Sequence, residues 1–289
     1  MCASLSGAVS IAGLLPDVGE SLRPYNSVGP MTRYSEDLPL LLNILAEDGS
    51  ERLKLNEQVD LKSLKVYFTE NEGCRHFSRV TREAQEAVIK AMRHMEEAHG
   101  IDAQRLHMPE LQYAFSTWLK VAAAKDPTPL AEMFRPGGFN LFVELLRILV
   151  GAGRHTLAVL AMCRLASRYR FASKEEAAAI LAHVDGLRDR LEETLGDDGV
   201  LILPATMSAA PFQNEDLLFF DAPNMTALFN LFGTPATVCP LSAQSTKDGA
   251  RLPIAVQVVA KRGNDRLCFA VARELERKFG GWAVTRDAA

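Results

Sequence analysis

The chain has 289 residues, 48% hydrophobic and 24% charged, with a formal net charge of −4 and a pI of about 5.9. That length and apolar content suffice for a sizeable core, in one large α/β domain or two smaller ones. Lys and Arg are interspersed with Asp and Glu, so no basic field marks a nucleic-acid partner.

Residues 1–30 are rich in Gly, Ser and Pro and read as loop with one short strand. Their opening, "MCASLSGAVSIAGLLPDVG", lacks a basic n-region and is broken by Gly and Pro, so it reads neither as a signal peptide nor as a membrane span. A helix follows. Ser35 suits its N-cap, with Glu36 and Asp37 at the positive end of the dipole. Leu38, Leu41, Leu42 and Leu45 form its predicted buried stripe and Gly49 its stop. "LKVYFTE" (64–70) reads as a strand. "SRVTREAQEAVIKAMRHMEEAHG" reads as a helix that carries Val80, Ala84, Ala87, Val88, Ala91, Met92 and Met95 on one face and ends at Gly100. A strand bearing Leu106 and a helix around "ELQYAFSTWLKVAAAK" come next, an order that argues for an α/β layer.

The middle of the chain is different. "FNLFVELLRILVGAGRHTLAVLAMCRLASRYRF" (139–171) is two apolar helical segments broken by Gly151-Ala152-Gly153. Glu144, Arg147, Arg154, His155 and Arg164 interrupt it, so no uncharged run approaches the ~20 residues a bilayer requires. "SKEEAAAILAHVDGLRDRLEETLG" is a long charged helix ending at Gly196. "DGVLILPATMSAAP" is a nearly all-apolar strand, as expected of one covered on both faces. "NMTALFNLFGTPATVCPL" reads as helix, Gly turn and strand, "LPIAVQVVAK" as a second buried strand, and "NDRLCFAVARELERKFGGW" as a closing amphipathic helix.

Few residues suggest chemistry. Cys2, Cys74, Cys163, Cys239 and Cys268 are odd in number and show no metal spacing, which points to a reduced, intracellular compartment. His94 and His99 lie five apart, ~140° around a helix, unlike the i, i+4 pair of a zinc site. His155 and His183 read as solvated or capping residues on helical faces. Ser242, Ser245 and Lys247 imitate a serine–lysine dyad but fit a polar connection between strands ending at Leu241 and starting at Leu252. Asp197 and Asp198 follow a helix stop and read as a solvated turn. No catalytic residue, metal or cofactor is expected.

Three stretches nevertheless resemble one family. "SVGPMTRYSEDLPLLLNIL" is similar to the G-P-M-x-R-x-x-x-D-L segment of the amidase signature hydrolases, "NLFGTPATVCPL" to their N-x-x-G-x-P-A-x-x-x-P loop, and "LPIAVQVVAK" with the helix after it to their terminal L-P-x-x-x-Q-V-V strand and helix. "LKVYFTENEG", "LGDDGVLILPATMSAAP" and "KFGGW" most resemble the animal type-2 fatty-acid amide hydrolase group. The resemblance spans roughly residues 7 to 284. It implies an α/β fold, namely the C-terminal portion of the amidase signature domain, a mixed sheet flanked by helices, over residues 1–289, with the 139–171 hairpin inserted.

The same resemblance implies a Ser-Ser-Lys mechanism with the nucleophile in a G-G-S-S-G-G loop upstream of "GPMTRYSEDL". Gly137-Gly138 and Gly280-Gly281 lead into Phe139 and Trp282, and the first Lys of the chain is Lys54. A serine hydroxyl needs a base, and the tetrahedral oxyanion needs fixed donors. About half of such an enzyme, with its catalytic set, is therefore expected to precede Met1. The partner implied for the complete enzyme is a lipid-like acyl amide, and a homodimer is compatible with the reading. Phe229, Phe232, Thr234 and Leu241 become candidates for the substrate pocket. The hairpin has two readings: a pair of core helices, or a monotopic membrane cap with Phe142, Leu146, Leu149, Leu157 and Leu160 in one leaflet.

An isolated chain with these features is expected to aggregate or to need detergent, since a cut sheet exposes an apolar strand. A fluorophosphonate probe should leave it unlabelled; adduct formation at Ser242 or Ser245, read by mass spectrometry, would overturn the connecting-loop reading.

Overall fold

A computed structural model describes residues 2–3, 8–14, 19–46, 53–72, 79–126, 140–169, 171, 173–211, 223–245 and 251–281. Its centre is a six-stranded mixed sheet of β1 (Cys2–Ala3), β2 (Lys65–Phe68), β3 (Gln104–Arg105), β4 (Gly199–Pro204), β5 (Ala236–Ser245) and β6 (Arg251–Ala260), in the order β1-β5-β6-β4-β2-β3. β4 runs parallel to β2 and antiparallel to β6, so it stands inside the sheet with both edges paired. All six of its residues are buried, as the uninterrupted apolar run "VLILP" requires.

Successive side chains of β4 alternate between two cores. Val200 and Ile202 pack with Ala84, Val88, Ala91 and Met95 of α3 (Arg82–His99) and with Cys268, Val271 and Leu275 of α9 (Asp265–Phe279). Leu201 and Leu203 pack on the opposite face against α4 (Ala114–Lys125), α7 (Lys174–Leu195) and α8 (Asn224–Phe232). The result is a helix–sheet–helix sandwich. Burying each Leu or Ile of such a strand is worth roughly 1.5–3 kcal/mol. A third, smaller cluster joins Leu38 and Leu42 of α2 (Asp37–Leu45) to Phe269 of α9.

Local signals account for most helix ends. Thr81 accepts from the Ala84 N–H at the start of α3, and Gly100 ends it at φ +69°. Ser173 caps α7 through the Glu176 N–H. Several expectations change. Ser35 does not cap α2: its backbone N–H and its hydroxyl both donate to Oε2 of Glu276, and the charged acceptor draws it away from the helix. Helix α2 starts at Asp37 with Glu36 at the cap position; Leu45 is exposed and Leu41 half-buried, while Gly49 lies outside the described residues. Ser242 and Ser245 belong to β5 rather than to a connection, in register with Ile254 and Arg251 of β6; Lys247 lies outside the described residues. His155 stands in a turn, not on a helical face, and His183 is exposed on α7.

The passage from α7 into β4 needs Gly199. A Cβ there would sit 2.1 Å from the Leu195 carbonyl oxygen, a backbone clash that no rotamer relieves. Asp197 and Asp198 form the turn before it and pair with Lys261 (2.9 Å) and Lys65 (3.4 Å). Gly199→Ala should lower stability by about 2 kcal/mol, through a forced backbone shift under the central strand. An unchanged midpoint in denaturant titration would show that the turn relaxes freely.

Candidate functional site

The three family-like stretches meet in space. Residues 32–35 lie against β5 and the end of α9, and together they enclose a cleft of about 120 Å³ lined by Thr32, Ser35, Val238, Pro240, Glu276 and Gly281. The Ser35–Glu276 hydrogen bonds close one wall. Gly281 has φ +57°, and a Cβ there would stand 2.7 Å from Glu276 Cγ, so the second glycine of "KFGGW" leaves room for the carboxylate that holds Ser35. Among the described residues, the cleft wall carries the Ser35 hydroxyl and the Glu276 carboxylate and no Lys or His, a set suited to positioning rather than to nucleophilic activation.

The glutamine of the L-P-x-x-x-Q-V-V stretch, Gln257, is fully buried. Its amide donates to the Pro204 carbonyl (3.1 Å) and the Met225 carbonyl (2.7 Å), tying β6 to the end of β4 and to α8. Asn224 completes the clamp: Oδ1 accepts from the Phe115 N–H at 2.8 Å and Nδ2 donates to the Gln112 carbonyl at 3.3 Å. Neither amide was singled out from sequence, because a lone Gln or Asn in an apolar stretch does not reveal its partners.

Those bonds fix α8, which carries Phe229 and Phe232. Both lie in the core beside α4 and α7, each 2% exposed. Thr234 is buried at the turn after α8, its hydroxyl 3.5 Å from the Phe229 carbonyl. Leu241 belongs to the core on the other face of the sheet. The structure thus gathers Phe229, Phe232 and Thr234 around one turn and separates Leu241 from them. Phe232 also lines a cleft of about 170 Å³ with Leu228, Met108, His107, Leu187 and Leu191.

The apolar hairpin consists of α5 (Leu141–Leu149) and α6 (Leu157–Ala166). Phe142 is 67% and Leu149 74% exposed, and Leu146, Val150 and Leu157 are exposed as well; Leu160 is buried. Asn140 caps α5 through the N–H groups of Phe142 and Val143. Glu144 holds the bend. Its carboxylate is buried, accepts from the Arg154 and His155 N–H groups and pairs with Arg147 at 3.3 Å. The Arg154 N–H is the chief cause that keeps its pKa below 4.5. No helix among the described residues is long and apolar enough to cross a membrane.

His94 and His99 do meet, despite their angular separation on α3. Both reach Oε1 of Glu274 on α9, at 2.7 and 3.3 Å, and Arg277 joins at 2.7 Å. The ring of Phe279 packs edge-on against His94. Burial would raise the Glu274 pKa, but hydrogen bonds from Arg277 and His94, with the Arg277 charge and the His99 ring nearby, outweigh it and hold the carboxyl at about 2. Helix spacing alone misses this cluster, since the carboxylate comes from 175 residues or more downstream and its Oε1 lies near both Nε2 atoms.

Against known proteins, residues 4–269 match the family model described as Amidase. The chain is 34% identical over 284 residues to fatty-acid amide hydrolase 2-A of Danio rerio and 31% identical to fatty-acid amide hydrolase 2 of Homo sapiens. Each alignment takes in 96% of this chain and 52% of the relative, so the chain spans about half the length of the curated relatives it matches. Among solved structures, one described as fatty acid amide hydrolase superposes with a TM-score of 0.70 at 16% identity, over 96% of this chain and 52% of the other. A structure of 6-aminohexanoate cyclic dimer hydrolase superposes with a TM-score of 0.64 at 19% identity, over 96% of this chain and 60% of the other.

Glu274 stays charged to about pH 2 in the fold, whereas its ordinary value is 4.5. The stability it supplies is therefore full above roughly pH 4.5 and is lost as pH falls towards 2. Glu274→Gln should cost about 3 kcal/mol at neutral pH and flatten the pH dependence of unfolding across that acid window. Parallel acid titrations of the two proteins would refute the assignment.

Proposed function

Because the chain belongs to the amidase family, we propose that it is the C-terminal part of a serine hydrolase that cleaves acyl amides when complete. The names of its relatives supply the substrate class, fatty-acid amides. The observation that carries the reading is the convergence of three separated family-like stretches on one cleft beside β5 and α9. On this reading the chain contributes core, pocket wall and membrane-facing surface, with Phe229, Phe232 and Thr234 behind the pocket and Leu241 on its far side. The nucleophile, bridging serine, lysine and oxyanion donors would come from the portion that the relatives carry in addition. Ser242 and Ser245 do not replace them: the residues opposite on β6 are Ile254 and Arg251. Loss of a nucleophile in subtilisin costs on the order of a millionfold in kcat, so the 289-residue chain by itself should not turn over oleamide. Hydrolysis that survives rigorous removal of contaminating enzymes would end this reading.

The exposed face of α5 and α6 supports a second activity, peripheral contact with a membrane, which also suits a non-catalytic lipid-binding product. Phe142, Leu146, Leu149 and Val150 project from a bend stiffened by Glu144, with Arg147 and Arg154 beside them. Apolar side chains inserted to headgroup depth with basic residues nearby are the composition of an interfacial anchor. The chain should cosediment with phosphatidylcholine vesicles containing phosphatidylglycerol. Replacing Phe142 and Leu149 together by Ser should weaken that partitioning by about tenfold or more. Equal cosedimentation of the variant and parent would move the hairpin back to a packing role.

A further inference from the structure

The outer edge of β5 is open along most of its length. The Ala255 carbonyl on β6 accepts from the Ala205 N–H beyond the end of β4 at 3.1 Å, so the backbone of Ala255 faces away from β5. That direction alternates along an antiparallel ladder. The residues of β5 opposite Val259, Gln257, Ala255 and Pro253 are Ala236, Val238, Pro240 and Ala243, and these turn their own backbone groups outward. β1 takes up only the first: Ala3 pairs with Ala236, and the ladder ends at Cys2 opposite Thr237. Among the described residues, no strand lies beside Val238, Pro240 and Ala243.

Outward backbone donors and acceptors are a template for another strand. The surroundings are apolar as well. The cleft of about 120 Å³ opens at Val238 and Pro240, and the segment on its other side, together with α2, exposes Met31, Tyr34, Leu40 and Ile44. Met31 is 78% and Ile44 65% exposed, whereas Leu38 and Leu42 on the inner side of the same helix are buried. Large apolar side chains gathered beside an unfinished sheet edge mark a surface that another polypeptide covers.

Three observations select the occupant. β1 is antiparallel to β5, so a strand extended along its line passes Val238 next. Pro240 has no N–H to give, which interrupts pairing of this edge with the same edge of a second copy. The relatives hold about as much chain again beyond the part that matches.

We propose that the open edge of β5 and the exposed side of residues 31–44 form one docking surface for the portion that the relatives carry in addition. That portion adds a strand antiparallel to β5 at Val238 and covers Met31, Tyr34, Leu40 and Ile44 with apolar side chains, the mode of recognition in which main-chain bonds supply affinity and side chains supply specificity. The inference rests on the reading of this chain as one part of a longer hydrolase.

Co-expression of the 289-residue chain with the portion of Danio rerio fatty-acid amide hydrolase 2-A outside the match, as two polypeptides with the affinity tag on the second, tests it. The two should purify together in equal amounts. Replacing Met31 and Ile44 together by Lys should reduce the retained chain about tenfold or more. This variant alters only exposed side chains, so its circular dichroism spectrum should match that of the parent. Val238→Pro removes a donor that faces away from β6, and it should weaken retention to a similar extent. Failure of the two polypeptides to purify together, or full retention of the Met31→Lys, Ile44→Lys variant, would overturn the docking surface. Oleamide hydrolysis by the purified pair is read separately: a complex that depends on these residues but turns nothing over would sink the hydrolase reading and leave the surface standing.

Discussion

Burial of β4 on both faces is the constraint on which the rest of the architecture depends. A strand whose six residues are all removed from water can exist only if both its edges are paired and both its faces are covered. β2 and β6 meet the first demand, and the α3–α9 and α4–α7–α8 layers meet the second. Gly199 belongs to the same constraint, since it lets α7 turn directly into that strand with backbone atoms in near contact.

Hydrophobic burial alone does not choose a unique arrangement of these layers. The choice is made by a few buried or half-buried polar groups, each with partners from distant parts of the chain. Gln257 joins β6 to β4 and α8, Asn224 joins α8 to the start of α4, and Glu276 joins α9 to the segment before α2. Left unpaired, a buried amide or carboxylate costs on the order of 1–3 kcal/mol, so alternative packings that break these bonds are penalised. The Glu274 cluster does the same for α3 and α9 and places a charge where acid must eventually destabilise the fold.

The surfaces with functional promise lie at the margins of this frame. The apolar hairpin, held at its bend by Glu144, carries exposed large hydrophobics that a globular core would have buried. The cleft beside the end of β3 is rimmed by His107, Glu110 and Arg190. The edge of β5 is covered by β1 across only two residues, and the outward face of α2 exposes Leu40, Ile44 and Leu45.

Periodicity and punctuation were enough to determine most of the elements, though the strand expected at Leu106 ends at Arg105. The apolar run of β4, the 3.6-residue stripe of α3, the Gly100, Gly196 and Gly233 stops, and the break at Gly151–Gly153 are local properties, and local backbone preferences produce them. The ordered family-like stretches likewise determined the fold class and family. What only the tertiary structure decided was which side chains meet. Ser35 turned from helix cap to hydrogen-bond donor for Glu276, Ser242 and Ser245 moved into a strand, His94 and His99 converged on Glu274, and Leu241 went to the face opposite Phe229. Each outcome depends on a partner between 6 and 241 residues away. A single sequence carries no direct signal of such contacts, because their energies arise only once the chain has closed on itself.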